Sequence, residues 1–144
     1  MLTYNDVIKL FPDIRGVKVD SLLYETISIN SSIEQKKGLF FHINVDSKLN
    51  DAIANGAVTA IWRKDHPLPS YTPNHFPVIF VKDPLEALMN ISGKYKEKIT
   101  LKSDGELTTM KLNKQDIDQV TIYNKIMRLL NKMELVEKRE RELE

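Results

Sequence analysis

The chain has 144 residues, 42% apolar and 28% charged, and its 21 lysines and arginines nearly balance 20 aspartates and glutamates, for a formal net charge of +1. That leaves room for one domain with a real core plus an appendage, gives no electrostatic case for nucleic acid or an anionic membrane, and, with no cysteine, excludes disulfides and thiolate metal sites. The first residues carry no basic segment and apolar core of a signal peptide, and no run approaches the roughly 18 apolar residues that span a bilayer, so a soluble, cytoplasmic protein is the expectation.

Thr3 and Asp6 form a capping-box pair ahead of Val7, Ile8, Leu10 and Phe11, which predicts a short amphipathic helix stopped by Pro12. Gly16 marks a turn, and Val17 to Asp20 and Leu22 to Ile29 read as extended segments. Leu39 to Asn44 is a short apolar strand, with His42 expected half-exposed on it. Ser47 to Ala54 is helical, with Leu49, Ala52 and Ile53 on one face and Asn55-Gly56 closing its end. Ala57 to Trp62 has almost no polar alternation, as suits a strand covered on both faces. Pro67, Pro69 and Pro73 make 63–75 an exposed loop. Val78 to Val81 is the next strand. Asp83-Pro84-Leu85-Glu86 then opens a capped helix with Leu85, Leu88, Met89 and Ser92 on its buried side. The alternation predicts an α/β domain: a small, mainly parallel sheet with crossover helices.

Past Lys98 the pattern changes. Residues 101–112 read as a connector, with a hairpin around Asp104-Gly105 between Ile99-Thr100-Leu101 and Leu107 to Leu112. Residues 113–144 read as one long helix with Ile122, Ile126, Leu129, Met133 and Val136 at 4-3-4-3 spacing, about three heptads. This tail fits docking on its own domain and association with a second copy or a partner equally well.

Three pieces in order carry a resemblance. Ile29-Asn30-Ser31-Ser32 followed by Lys37-Gly38-Leu39-Phe40-Phe41 is similar to an Asp-Ser-Arg segment followed by Pro-Gly-Asp-Leu-Phe. Asp51 to Ile61 is similar to a helix end of the form Ala-(x)3-Gly-Ala running into an apolar strand. Pro77 to Leu88 is similar to a Val-Ile-x-Val-x-Asp-(x)3-Ala-Leu junction. Together, over about residues 22 to 98, the chain resembles the N-terminal domain of the Mur ligases, the ATP-dependent enzymes that add amino acids to UDP-N-acetylmuramic acid in peptidoglycan synthesis. The resemblance implies a domain that holds the uridine end of a UDP-sugar precursor. It gives Ser31 the nucleotide contact, with Ile29 lining the same pocket, Ser32 at the family's arginine position, and Asn44 in the connection that stands for the family's pocket-closing loop.

Asn30 replaces the family's aspartate, Ser32 replaces an arginine able to grip a carboxylate or phosphate with two bonds, and the Gly-(x)3-Asp-Gly-His loop is reduced to Asn44-Val45-Asp46. Gly93-Lys94 lacks the upstream glycine and following Ser or Thr of a phosphate loop and falls in a helical pattern. The expectation is therefore a non-catalytic, cofactor-free binding or scaffolding module for a UDP-N-acetylmuramoyl-type ligand. The alternative is an interaction module that kept the fold, lost the ligand, and works through its C-terminal helix. His42, His66 and His75 have no ligand-like spacing for a metal.

Overall fold

In the computed structural model, residues 1–44, 46–101 and 107–112 are described, residues 98–101 by their backbone alone. The first helix forms as its cap residues dictate. After β1 (Leu2–Thr3), Thr3 Oγ1 accepts from Asp6 N and the Asp6 carboxylate accepts from Thr3 N, so both ends of the box are closed over α1 (Tyr4–Leu10). A mixed α/β sheet follows. Its strands are β2 (Ile14–Arg15), β4 (Thr26–Ser28), β5 (Gly38–Phe41), β6 (Ala57–Arg63), β7 (Val78–Val81) and β8 (Thr109–Lys111), in the spatial order β2-β7-β6-β5-β4-β8. Every neighbouring pair is parallel except β2 with β7. β1 pairs separately with β3 (Leu23–Tyr24).

Strands β5, β6 and β7 are apolar apart from Thr59 and Arg63 of β6, as suits strands covered on both faces. Leu39 and Phe41, Ile61, and Ile79 and Val81 face one side, where they pack with Tyr4 and Val7 of α1 and with Ala87, Leu88, Ile91 and Tyr95 of α3 (Pro84–Leu101). Phe40, Ala60, Trp62 and Val78 face the other, under Leu49 and Ala52 of α2 (Leu49–Ala54) and under Phe76. α2 is the crossover from β5 to β6, whereas the crossover from β6 to β7 is the irregular, proline-rich loop 64–77. At the start of α3, Leu85 N donates to Asp83 Oδ1 at 3.0 Å.

Several expectations change. Val17 to Asp20 forms no strand, and Val17 and Val19 are exposed; with no partner strand in reach, an extended pattern does not become sheet. The buried side of α3 is centred on Ala87, Leu88, Ile91, Ser92 and Tyr95, with Leu85 and Met89 only half-buried. The hairpin is replaced by a different arrangement: 99–101 continue α3, and β8 joins β4 in parallel instead of returning on a neighbour in sequence. Asp104-Gly105 lies outside the described residues, as does the C-terminal helix expected over 113–144. Thr108 anchors the start of β8: its N donates to Tyr95 Oη, its Oγ1 donates to Tyr24 O at 2.6 Å and accepts from Leu2 N at 2.9 Å. Within the segment expected as a connector, Thr109–Lys111 thus belong to the sheet. No described helix is long and apolar enough to cross a membrane.

Candidate functional site

In open α/β sheets, ligands bind beyond the carboxyl ends of the parallel strands, where the connecting loops diverge. Here the chain leaving β4 runs through Ile29 to Lys37, and the chain leaving β5 runs through His42 to Lys48 into α2. Between them is an open cleft of about 190 Å³. Ile29, Ser31, Ser32 and Asn44, the four residues singled out by the sequence, all line it. Asn30, Asp46, Ser47, Lys48 and Asp51 complete the lining. Lys48 and Asp51 were not among the site residues singled out from the sequence, where Asp51 only opens the second similar piece; the signal was their place at the N-cap and in the first turn of the helix that follows β5.

Short-range polar bonds hold the rims. Asn30 Oδ1 accepts from Ser32 N at 2.8 Å, and Asn44 Oδ1 accepts from Asp46 N at 3.0 Å, so each loop turns on an asparagine side chain. Ser47 Oγ donates to Asn44 O at 2.6 Å. Ser31 ties the rims together: its Oγ accepts from Lys48 N at 3.2 Å and its carbonyl accepts from Asn55 Nδ2 at 2.9 Å. At 4% exposure Ser31 is buried, so its hydroxyl has a fixed setting at the cleft wall.

The base of the β4–β5 loop is fixed by Gln35, which is fully buried. Its Nε2 donates to Asn30 O at 2.9 Å and its N donates to Asn55 O at 2.8 Å. Gly56 lies against it with φ +114°, and a Cβ there would sit 2.7 Å from Gln35 O. The Asn55-Gly56 helix end expected from the sequence is thus also what lets the β4–β5 loop close onto α2.

His42 lies just past β5 and is buried at 6% exposure, not half-exposed as expected. Its ring stacks on Trp62 with centroids 3.8 Å apart and 13° between planes, and Trp62 Nε1 donates to His66 O. Nδ1 of His42 has no hydrogen-bond partner among the described residues. Burial pushes the His42 pKa below its ordinary value, opposed by a backbone interaction at Ser47 and reinforced by the charges of His66 and Arg63. No group of three or more potential metal ligands occurs among the described residues. Gly93 and Lys94 sit inside α3, where backbone amides belong to the helical ladder and not to an open loop. No family model and no curated protein matches the chain.

Proposed function

We propose that the chain is a non-catalytic binding domain of the Mur ligase N-terminal type, which holds the uridine end of a UDP-sugar precursor in the cleft between β4 and β5. One observation carries the reading. The four residues that the resemblance nominates are dispersed over Ile29 to Asn44, and they converge on one cleft at the carboxyl ends of parallel strands, where such folds hold nucleotides. The mainly parallel sheet supports it further.

Calorimetric titration of the full chain with UDP-N-acetylmuramic acid tests the reading. Binding in the micromolar to millimolar range is expected, weakened in Ser32→Trp, which fills the cleft from its exposed rim. Absence of both heat and a thermal shift at millimolar ligand would remove the ligand from the proposal.

A second reading draws on a specific observation: Ser31 Oγ is already engaged by Lys48 N, and the cleft volume lies below the roughly 300–1,000 Å³ usual for small-molecule sites. Under it the fold persists as an interaction module and residues 113–144 recruit a second copy or another protein. The boundary for testing this is Leu112, because a cut nearer residue 100 would strip β8 from the sheet. Light scattering on chains ending at Leu112 and at Glu144 separates the readings: a mass that halves on truncation favours self-association through the tail.

A further inference from the structure

We infer that the cleft takes an uncharged diol-bearing ring, such as a ribose, and leaves any phosphate outside. The inference rests on the nucleotide-sugar reading above and names which part of that ligand the residues recognise. Phosphate sites are built from free helix-start amides, glycine-rich loops or arginine forks. Here three amides at the start of α2 are engaged within the protein, Lys48 N on Ser31 Oγ, Asn50 N on Tyr71 Oη, and Asp51 N on Lys48 O, and the residue that carries the amide between them, Leu49, is fully buried. Among the described lining residues the only cation is Lys48, against the two carboxylates of Asp46 and Asp51. A diphosphate entering this lining meets net negative charge and no cradle.

The groups left over suit a neutral ring. Neither carboxylate has an ion-pair or hydrogen-bond partner among the described residues, and a carboxylate accepts two adjacent hydroxyls well, as acidic residues do for the ribose of dinucleotides. The carboxamide oxygens of Asn30 and Asn44 are taken by Ser32 N and Asp46 N, which leaves their NH2 ends to donate. Ser31, nine-tenths buried in the wall, accepts from Lys48 N while its own hydroxyl proton has no acceptor among the described residues. A volume of about 190 Å³ accommodates one ring system and its substituents, not a whole nucleotide sugar.

Amide chemical-shift titration of the full chain with uridine, UDP, inorganic pyrophosphate and methyl β-ribofuranoside tests this. Uridine is expected to bind at least as tightly as UDP, pyrophosphate not to bind, and any UDP deficit to shrink as salt screens the carboxylates. In Asp46→Asn with Asp51→Asn, uridine affinity should fall about tenfold while the UDP-to-uridine ratio rises. UDP binding more than about tenfold tighter than uridine would overturn the inference and leave the nucleotide-sugar reading standing. Equal binding of uridine and the methyl riboside would support the inference while removing the reading, because the base would then not be recognised. Silence from every probe at millimolar concentration overturns both.

Discussion

The two faces of the sheet are covered in different ways. On one, the helices α1 and α3 and the β1–β3 pair pack Tyr4, Val7, Leu88, Ile91 and Tyr95 against Ile27, Leu39, Phe41, Ile61 and Ile79. On the other, six-residue α2 and the loop 64–77 supply the cover, with Leu49, Ala52 and Phe76 over Phe40, Ala60, Trp62 and Val78. The loop keeps its shape through short turns, Thr72 N to Pro69 O and Phe76 N to Pro73 O, and through Arg15 Nη1 donating to Pro73 O at 3.3 Å. Helices resist collapse because their interior backbone groups are committed to the ladder; a loop of turns has more ways to relax. The thin face also carries α2, whose first turn forms one wall of the cleft, so the more adaptable side of the domain is the one beside the candidate site.

Large-to-small substitutions put numbers on that contrast. Phe41→Ala opens a hole on the helix-covered face, where Phe41 is fully buried, and should cost about 3–5 kcal/mol in denaturant unfolding. Phe76→Ala removes a side chain of equal size from the loop-covered face, at 7% exposure, and should cost about half as much, because loop 64–77 can close over the space. Equal costs for the two would mean that the proline-rich loop is as unyielding as a helix, and the comparison would break there.

The central part of this architecture was legible because its signals were local. Ala57 to Trp62 has no polar alternation, and it is buried on both faces; Asp83-Pro84 opens a helix whose second amide bonds the aspartate. Other parts depended on partners that no local pattern names. The extended arm expected over Leu107 to Leu112 does contain a strand, but its partner is Thr26-Ile27-Ser28, more than eighty residues earlier and parallel, not the segment just before it. Ile99-Thr100-Leu101 looks extended by its β-branched content, yet it continues α3, since propensity is a weak prior against an established helix. Val17 and Val19 show the converse, an extended pattern left without a strand to join. Four of the cleft residues could be named from the sequence because they lie on a segment with a recognisable order. Lys48 and Asp51 could not, because which side chains wall a cleft depends on where α2 begins its first turn, and Lys48 caps that helix without any side-chain bond to announce it.

A smaller effect sharpens the helix-covered side. Thr3→Ala leaves Asp6 N without its cap while the backbone bond from residue 3 N to the Asp6 carboxylate can persist, so a loss of about 1 kcal/mol is expected. The same substitution should speed amide exchange in the first turn of α1 while leaving α2 and the loop-covered face unchanged, since no described contact couples Thr3 to them. A change that reached both faces would show that the two covers fold as one unit.

The smallest effect belongs to the loop-covered side and depends on pH. His42 is stacked on Trp62 and kept neutral mainly by burial, with its pKa below the ordinary 6.5; Ser47's backbone opposes that shift, and His66 and Arg63 add to it. The unfolded chain takes up the proton near 6.5, whereas the folded chain takes it up only at lower pH. Between the two values the unfolded state binds more protons, so stability falls as pH drops below 6.5, and above it this residue contributes no slope. His42→Phe keeps a flat ring against Trp62 and removes both the titration and the unpartnered Nδ1. Its unfolding midpoint should therefore decline less steeply than the wild type between neutral and mildly acid pH, with the two within about 1 kcal/mol of each other at neutrality. Parallel pH profiles for the two proteins would mean that the Trp62 corner opens readily enough to hydrate His42, which would place the flexibility of the thin face at β5 and β6 themselves and not in the loop above them.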